Sequence, residues 1–385
     1  MRAIVIGGGV AGAATAVALR RVGAEVTVYE AYDDPAGDVG SFVSLAANGL
    51  RCLEALGCLA PVQAAGVAVP RQRMWSAGGR LLGDVARGRP ASDPRPSVTL
   101  ARGRLVAALR AAAAEAGARI VTGERLTGAA ETAAGVTAEL ASGREDRADL
   151  LVGADGLWSA VRGRLDPAAP RPRYAGLYAI SGASRLDGVE PGVFNLTFGR
   201  NGAFIHLLAG GEVWWSAQVA DPRAPERDDV DEAGWLRRAA ELYRAEAVPA
   251  AVIAASTRLD RTVLMHALDP VPVWRGERTV LVGDAAHPVG AGQGASMALE
   301  DALALAAAVA AEPAVPAALR AYETARRPRI AKMLGAAEEN RGVKRAGPVR
   351  RRAQAVAMRL FVPLFYERAT AWLYAYDPLT LAGEQ

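Results

Sequence analysis

The N-terminal stretch combines short apolar runs with glycine-rich turns. Residues 2–6 form an apolar run that ends in three consecutive glycines, a pattern typical of a buried strand entering a tight turn. Small apolar residues recur at helical spacing over residues 10–22, and Gly23 is placed to end that helix. Residues 25–30 predict a second strand. Strand, helix and strand in this order predict a parallel sheet covered by helices.

Further apolar segments extend this α/β pattern. Helical spacing predicts helices over residues 48–59 and 101–116, the second of them rich in alanine. Residues 148–154 and 279–283 predict buried strands, because both are short apolar runs followed by turn residues. A helix over residues 295–311 follows the second of these strands after a glycine-rich loop.

The pattern changes between residues 171 and 220. Short segments there are rich in aromatic and β-branched residues and are separated by Gly, Asn or Asp, which predicts antiparallel sheet. The predicted strands are residues 174–180, 193–198, 203–208 and 212–219. One face of the last strand is apolar and the other is mixed. The two faces carry Val213, Trp215, Ala217 and Val219 on one side, and Trp214, Ser216 and Gln218 on the other. Residues 221–232 are charged and proline-rich, which predicts a surface loop.

The chain after Lys332 is predicted to be helical, with a basic run followed by apolar residues 355–376. One interpretation is an interfacial helix on a membrane. The interpretation that we favour is a C-terminal helix that packs its apolar side on the protein and leaves its arginines in solvent. The basic run consists of Arg341, Lys344, Arg345, Arg350, Arg351 and Arg352.

Composition narrows the class of protein. The 385 residues carry 45 basic and 41 acidic side chains, a net charge of +4, and 51% are hydrophobic, so a largely disordered chain is excluded. The arginines are spread along the chain, which argues against nucleic-acid binding. Cys52 and Cys58 cannot form a disulfide framework, and the three histidines show no metal-binding spacing. We expect a cytoplasmic protein without signal peptide, membrane span or metal.

The first motif with chemical meaning is Gly7-x-Gly9-x-x-Gly12, which lies between a predicted strand and a predicted helix. In such a turn the glycines allow a sharp bend, a close approach to a pyrophosphate and tight packing of the helix on the strand. The start of the helix supplies free N–H groups for phosphate. Glu30 ends the second strand, where a carboxylate would hold ribose hydroxyls. Together these features predict dinucleotide binding.

Two further motifs follow predicted strands. Asp155 and Gly156 come after the strand at 148–154, where ligands bind in open α/β sheets, although an Asp-Gly pair taken alone is more often a plain turn. Asp284 follows the strand at 279–283 and precedes a glycine-rich loop and a helix. An acidic residue there can hold sugar hydroxyls, and the helix start can stabilise an anion. Taken alone, this motif is also more often a loop.

These motifs in this order resemble the FAD-dependent aromatic hydroxylases, the class A flavoprotein monooxygenases related to p-hydroxybenzoate and salicylate hydroxylases. The resemblance covers nearly the whole chain. It also includes Asn48-Gly49 with Leu53, Leu56 and Gly57, Arg102 with Leu105 and Leu109, Ser159 and Arg162 after Asp155-Gly156, and Trp372-Leu373-Tyr374. Two features depart from it: the loop from His287 to the Gly-Gln-Gly of residues 292–294 is short, and Ser296 replaces a common asparagine. No Trp-x-Trp-x-Ile-Pro motif occurs, which argues against a flavin halogenase.

The resemblance implies an α/β fold with a Rossmann-like FAD-binding domain, an inserted, mainly antiparallel β-sheet substrate domain and a C-terminal helical region. The FAD-binding domain would be discontinuous, with residues 1–70, 97–170 and 262–335. The substrate domain would comprise residues 71–96 and 171–261, and the C-terminal region residues 336–385.

The resemblance also implies roles for matched residues. Gly7, Gly9 and Gly12 would hold the FAD pyrophosphate and Glu30 the adenosine ribose. Arg102 would reach the pyrophosphate, and Asp284 would bind the ribityl chain. Asp155 and Gly156 would serve both FAD and NAD(P)H. The backbone amides of Gly292, Gly294 and Ala295 would stabilise negative charge at the flavin N1–C2 carbonyl.

The implied activity is insertion of one oxygen atom from O2 into an aromatic or electron-rich small molecule, with NAD(P)H as reductant and a C4a-hydroperoxyflavin as oxidant. A dehydrogenase, reductase or epoxidase on the same fold is the alternative, and a non-catalytic dinucleotide-binding protein is a third possibility. No catalytic acid or base is identified. The weak candidates are His206, for which a structural role is favoured, Trp214, Gln218 and Pro288. The sequence leaves open the substrate, the choice of NADH or NADPH, and whether the protein is a monomer or a homodimer.

Overall fold

The structure of the protein is a computed structural model that describes residues 1–34, 42–226, 229–290, 292–344 and 348–377. Its helices are α1 (Val10–Arg21), α2 (Ala47–Ala55), α3 (Leu59–Ala64), α4 (Arg102–Glu115), α5 (Ala160–Leu165), α6 (Glu232–Tyr243), α7 (Ala247–Ala254), α8 (Gly294–Ala311), α9 (Val315–Lys344) and α10 (Pro348–Tyr374). A short 3-10 helix spans Gly283–Ala285.

The strands up to the middle of the chain are β1 (Arg2–Ile6), β2 (Glu25–Tyr29), β3 (Phe42–Leu45), β4 (Val67–Val69), β5 (Arg71–Ser76), β6 (Leu81–Ala86), β7 (Ser97–Ala101), β8 (Arg119–Val121), β9 (Leu126–Thr132), β10 (Gly135–Leu140), β11 (Glu145–Ala148) and β12 (Leu150–Gly153). The later strands are β13 (Arg173–Ser184), β14 (Val193–Gly199), β15 (Gly202–Ala209), β16 (Glu212–Ala220), β17 (Ser256–Leu259), β18 (Val263–Ala267) and β19 (Thr279–Leu281).

A parallel sheet in the order β19-β12-β1-β2-β8 forms the centre of the nucleotide-binding part. Its central strands are almost wholly buried because their side chains are apolar on both faces, as parallel sheets require. The small residues of α1 allow this helix to pack closely between the sheet and helices α4 and α8. The carboxyl ends of β1, β2, β12 and β19 therefore meet at one edge, the usual ligand-binding edge of such sheets.

A second, larger sheet has the order β17-β13-β16-β15-β14-β5-β6, with β18 paired to β13. Apart from the parallel pair β14–β5, its pairings are antiparallel. Helices α6 and α7 cover one face, where Trp215, Phe204 and Tyr243 form an apolar core. Helix α10 packs against β6 at the far end of the sheet. Two three-stranded sheets, β11-β10-β9 and β3-β7-β4, complete the described part of the chain.

The predicted fold class is confirmed: a parallel sheet with helices, an antiparallel insertion and C-terminal helices are all present. Two details differ. The helix predicted over residues 48–59 ends at Ala55, because Gly57 adopts a φ of +66°, and a separate helix, α3, begins at Leu59. Strand β18 lies in the large sheet, whereas the predicted boundary places residues from 262 onward in the nucleotide-binding domain.

The C-terminal helix α10 lies against the protein. A Cβ on Gly83 of β6 would lie 2.5 Å from Val362 of α10, so this glycine allows the helix to approach the sheet. The opposite face of α10 exposes Leu360, Phe361 and Leu364. Of the predicted basic run, Arg345 lies outside the described residues, and the other side chains of the run are likewise not described.

One described helix, α8, is long and apolar enough to cross a membrane. It packs against α1, α2 and α9 instead, and its residues Glu300 and Asp301 are fully buried within the protein. Its position as a core helix accounts for its apolar composition.

Candidate active site

The turn between β1 and α1 can have no side chain at two of its glycines. A Cβ on Gly7 would lie 2.5 Å from the carbonyl oxygen of Ala154, and Gly7 has a φ of +102°. A Cβ on Gly12 would lie 1.8 Å from the carbonyl oxygen of Gly7. These two contacts hold the helix and the turn together.

Gly9 differs from both because no atom lies within 4 Å of its Cβ position. It is the N-cap of α1, it provides no side-chain cap, and the first turn contains no acidic residue. The first backbone hydrogen bond of the helix runs from the Ala13 N–H to the Gly9 carbonyl oxygen, so the preceding amides are free. Open space in front of free amides at a helix start is the arrangement that binds phosphate.

Glu30 lies directly after β2 and fixes the neighbouring loops. Its Oε2 accepts the Gly8 N–H at 2.6 Å, and its Oε1 accepts the Tyr32 N–H at 2.9 Å. The side chain is buried. Each carboxylate oxygen can accept a further hydrogen bond, so Glu30 can still bind a ribose hydroxyl beside the glycine turn.

Asp155 follows β12 and borders the same turn: a Cβ on Gly7 would lie 3.0 Å from its Cα. Its Oδ2 accepts the N–H groups of Ala160 and Val161 at the start of α5, at 2.7 and 3.1 Å. Its Oδ1 is buried and has no partner among the described residues. Burial raises the pKa of its carboxyl, against the effect of these hydrogen bonds. Asp155 therefore caps α5 with one oxygen and keeps the other for a ligand.

Arg162 joins the second motif to the third. Its Nη1 donates to the Ala285 carbonyl oxygen at 2.9 Å, and its Nη2 donates to the Leu157 carbonyl oxygen at 2.8 Å. The side chain is almost fully buried. It therefore fixes the loop after β12 to the 3-10 turn after β19.

Asp284 lies in that 3-10 turn and is accessible to solvent. The surrounding protein nevertheless raises the pKa of its carboxyl by desolvation, while the charges of His287 and Arg102 oppose the rise. Asp284 is therefore close to much of the surrounding protein and still open to a ligand. Arg102, at the start of α4, is half-buried and makes no ion pair with a described residue. The Asp284 carboxylate and the Arg102 guanidinium are therefore both available to a ligand.

Helix α8 begins beside Asp284. A Cβ on Gly294 would lie 3.5 Å from the Asp284 Oδ1, while the Cβ positions of Gly292 and Gly9 are both open. The N-cap residue of α8 gives no side-chain cap, and the first backbone hydrogen bond runs from Met297 to Gln293. The amides of Gly294, Ala295 and Ser296 are thus free to stabilise an anion. Pro288 is buried in the loop before this helix, and Ala291 lies outside the described residues.

A buried ionic cluster supports this loop and helix. Asp301 accepts hydrogen bonds from the His287 Nε2 at 2.6 Å, the Gly283 N–H at 2.8 Å and the Arg326 Nε at 2.8 Å. Glu300 accepts from Arg326, Arg329 and the Asn48 side chain. Burial alone would raise the pKa of Asp301, but the charges of His287 and Arg326 hold it at about 2.

The sequence analysis missed this cluster. The predicted helix over residues 295–311 contains Glu300 and Asp301, but the sequence analysis assigns no role to this pair or to Arg326. Two adjacent acidic residues in an otherwise apolar helix were the available signal, because buried carboxylates need cationic partners.

The catalytic candidates of the large sheet lie on opposite faces. The register pairs His206 with Trp215 and Leu207 with Trp214. His206 belongs to the face covered by α6 and α7, where its ring lies 6.0 Å from that of Phe204. This position disagrees with a catalytic role for His206, because side chains alternate between the two faces of a strand.

Trp214 and Gln218 share the other face. The ring of Trp214 stacks on Phe42 of β3 at 6.1 Å, so this face lies against the nucleotide-binding part. Gln218 is buried, and its Oε1 has no partner among the described residues. These two side chains remain candidates for contact with a substrate.

The burial of His206 predicts a pH dependence of stability. Burial lowers its pKa to about 4, from 6.5 for an exposed histidine. Between these pH values the unfolded chain binds a proton that the folded protein does not, so stability is lost as the pH falls through this window, by about 3 kcal/mol. We expect His206→Leu to remove this part of the pH dependence in urea denaturation, with little change near neutral pH. An unchanged slope would contradict the assignment.

The structure thus brings together the predicted cofactor residues of all three motifs. Two helix starts with free amides, the carboxylates of Glu30, Asp155 and Asp284, and the Arg102 guanidinium border one edge of the parallel sheet. Phosphates, sugar hydroxyls and an anionic ring carbonyl would find matching partners in this arrangement.

Comparisons with known proteins agree with this geometry. A family described as FAD binding domain matches residues 1–337. The chain is 31% identical to an aurachin C monooxygenase/isomerase of Stigmatella aurantiaca over 336 residues, which is 84% of either chain. It is 30% identical to an FAD-dependent urate hydroxylase of Klebsiella pneumoniae over 349 residues, 86% of this chain and 87% of the relative.

Solved structures show the same architecture. The HpxO protein of Klebsiella pneumoniae, crystallised with FAD and uric acid, aligns with a TM-score of 0.81 and 25% identity over 93% of this chain and 92% of the other. A salicylate hydroxylase substrate complex aligns with a TM-score of 0.81 and 22% identity over 99% of this chain and 97% of the other.

Proposed function

Because the chain belongs to the family of FAD-dependent aromatic hydroxylases and is therefore a flavoprotein enzyme, we propose that it uses NAD(P)H and O2 to insert one oxygen atom into a small aromatic or electron-rich molecule. The observation that carries this proposal is the convergence of three motifs on one cleft that ends at the free amides of α8. Relatives named for hydroxylation of urate and of 3-hydroxybenzoate support an aromatic substrate.

The residues present fit FAD. We propose that the amides at the start of α1, exposed by the open Gly9, hold the pyrophosphate together with Arg102. Glu30 would hold the adenosine ribose and Asp284 the ribityl chain. Asp155, whose Oδ1 lacks a partner among the described residues, and Gly156, whose Cβ position is open, would face FAD and the incoming NAD(P)H.

When bound and reduced by NAD(P)H, FAD supplies the electrons that activate O2 for transfer of one oxygen atom. The chain contributes placement and electrostatics. The free amides of Gly294, Ala295 and Ser296 would stabilise negative charge on the ring system at the start of α8. The apolar rings of Trp214 and Phe42 would exclude water from the reacting atoms. The described residues suggest no dedicated acid or base for this scheme.

The test is a flavin spectrum followed by an isotope experiment. We expect the purified protein to be yellow, to oxidise NAD(P)H faster when a suitable phenol or heteroaromatic acid is added, and to place one atom of labelled O2 in the product. A colourless protein that takes up no added FAD would overturn the proposal. A flavoprotein that oxidises its substrate without incorporating labelled oxygen would be a dehydrogenase or reductase instead.

The domain boundaries and the cellular location of the protein are also proposed. We propose that residues 1–70, 97–170 and the chain from β19 through residue 335 form the FAD-binding domain, and that residues 71–96 and 171 to the end of β18 form the substrate domain. Cys52 and Cys58 are free and buried, as in proteins of reducing compartments, and we propose a cytoplasmic location.

A further inference from the structure

Arg87, directly after β6, is a half-buried cation with only neutral neighbours in the described part of the chain. Its guanidinium carbon lies 3.3 Å from the ring centroid of Phe194. Its Nη1 donates to the Oε1 of Gln72. Its Nε is buried without a partner, and the described ion pairs include none with Arg87. No described hydrogen bond or ion pair uses the Nε–Nη2 edge of its guanidinium, which could bind a carboxylate with two hydrogen bonds.

The two arginines that are almost completely buried, Arg162 and Arg326, have partners for more of their donors. Arg326 is fully buried and is paired with both Glu300 and Asp301. Arg162 donates to two backbone carbonyl oxygens. Burial lowers the pKa of Arg87 to about 10, although the nearby phenols of Tyr374 and Tyr366 oppose the shift. At neutral pH the group is still charged, so its desolvation is not compensated by any protein anion in the described residues.

Arg87 lies on the substrate side of the large sheet. The Phe194 ring under its guanidinium forms a small apolar cluster with Val69 and Leu207, and Trp214 and Phe42 pack against that cluster. This is the face opposite to α6 and α7. The Arg87 guanidinium and the rings of Trp214 and Phe42 are therefore parts of one continuous surface.

The backbone next to Arg87 connects this surface to the end of the cofactor cleft. The carbonyl oxygen of Gly88 accepts the N–H of Ala47, the first residue of α2, at 2.8 Å. The next residue of α2, Asn48, donates to Glu300 of α8 at 2.9 Å. Arg87 is thus fixed, through α2, to the helix whose start would face the reactive ring.

We propose that Arg87 binds the carboxylate, or an equivalent anionic group, of an aromatic substrate, whose ring lies along the wall formed by Trp214 and Phe42. The inference rests on the proposed function and narrows it to acidic aromatic molecules. A substrate anion would supply the charge that Arg87 lacks and would occupy its free Nε–Nη2 edge. It would also orient the ring with respect to the start of α8, which fixes the carbon that is hydroxylated.

The experiment compares charged and neutral ligands of one shape. Benzoate and benzamide are titrated into the FAD-loaded protein, and binding is followed by the change in flavin absorbance. We expect the unmodified protein to prefer benzoate by about 10-fold or more, since hydrogen bonds between charged groups are worth about 1.5–3 kcal/mol. Arg87→Gln should weaken benzoate binding by about 10- to 100-fold and leave benzamide binding nearly unchanged. Arg87→Lys keeps the charge but loses the two parallel N–H donors of the guanidinium. Its affinity for benzoate should lie between those of the unmodified protein and Arg87→Gln.

Arg89→Gln is the matched control. Arg89 lies two residues further along the same connection, is also half-buried and likewise has a buried Nε without a partner among the described residues. It donates to the backbone carbonyl oxygen of Asp93, and no described contact stacks it on the Phe194 ring. We expect this variant to keep the preference for benzoate. If Arg87→Gln weakens the binding of benzoate and of benzamide equally, Arg87 has only a structural role and the inference is wrong.

Two results separate this inference from the proposed function. In the first result, the protein is yellow, oxidises NAD(P)H and hydroxylates neutral phenols, but it does not bind benzoate more tightly than benzamide. This result contradicts the role of Arg87 and is still consistent with a monooxygenase. This comparison needs only the unmodified protein, so it decides the question even if the Arg87 variants do not fold. A protein that takes up no FAD overturns the proposed function itself.

Discussion

Gly9→Val is expected to give a folded protein that no longer retains FAD. Nothing lies within 4 Å of the Cβ position of Gly9, and its φ of −76° and ψ of −162° are extended backbone that valine adopts readily. The substitution therefore costs the apoprotein little. In the loaded protein the new side chain would occupy the space in front of the α1 amides and displace the pyrophosphate. Loss of these hydrogen bonds to a charged group should weaken FAD binding on the order of 100-fold or more.

The measurement is the ratio of flavin to protein absorbance after purification, followed by titration with added FAD. Urea denaturation of the apoprotein checks that the fold is intact. Gly78→Val is the matched control: Gly78 has an equally open Cβ position but lies in the exposed turn between β5 and β6. A Gly9→Val protein that remains as yellow as this control would show that the pyrophosphate lies elsewhere.

Gly12→Ala should behave differently from Gly9→Val, although both glycines belong to one motif. A Cβ on Gly12 would lie 1.8 Å from a backbone oxygen, so the helix must move and the apoprotein itself should lose stability. The two variants separate a glycine that allows packing from a glycine that admits the ligand.

The motifs that the sequence alone could predict are local. The glycine turn, Glu30 and the strands on either side lie within one βαβ unit, so their geometry follows from adjacent residues and from the usual handedness of that unit. The strands around residues 171–220 were also predictable, since alternation and turn residues define them without reference to distant parts of the chain.

Features that depend on pairing across the chain were not predictable in the same way. The face on which His206 lies follows from the register of β15 with β16 and from the helices that cover that face, which come later in the sequence. Arg87 has no charged partner among the described residues because its neighbours come from distant elements: Phe194 from β14, and α10, which packs against β6. Neither fact is present in the residues next to His206 or Arg87.

The partners of Asp301 are an example with measurable consequences. Arg326 lies 25 residues further along the chain and meets Asp301 and Glu300 only because α9 packs on α8. All three side chains are fully buried. Removal of one partner from such a cluster is more costly than the loss of a surface ion pair, because the charges that remain cannot return to water.

We therefore expect Arg326→Met to lower the free energy of unfolding by about 3 to 5 kcal/mol near neutral pH. Methionine keeps most of the volume, so the loss reports mainly on Asp301 and Glu300, which remain buried with fewer cationic partners. Arg320→Met is the matched control on the same helix. Arg320 is exposed, and its substitution should change stability by less than about 0.5 kcal/mol.

The pH dependence of this loss tests its electrostatic origin. In the unmodified protein the pKa of Asp301 is held at about 2, below the ordinary value of 3.8, so the stability that it contributes is present above pH 3.8 and is lost as the pH falls toward 2. Without Arg326 the buried Asp301 carboxylate loses one of the charges that lower its pKa, so it binds a proton at higher pH. The difference in unfolding free energy between Arg326→Met and the unmodified protein, measured in urea, should then shrink as the pH is lowered toward 4. A difference that is constant with pH would assign the loss to packing instead of charge.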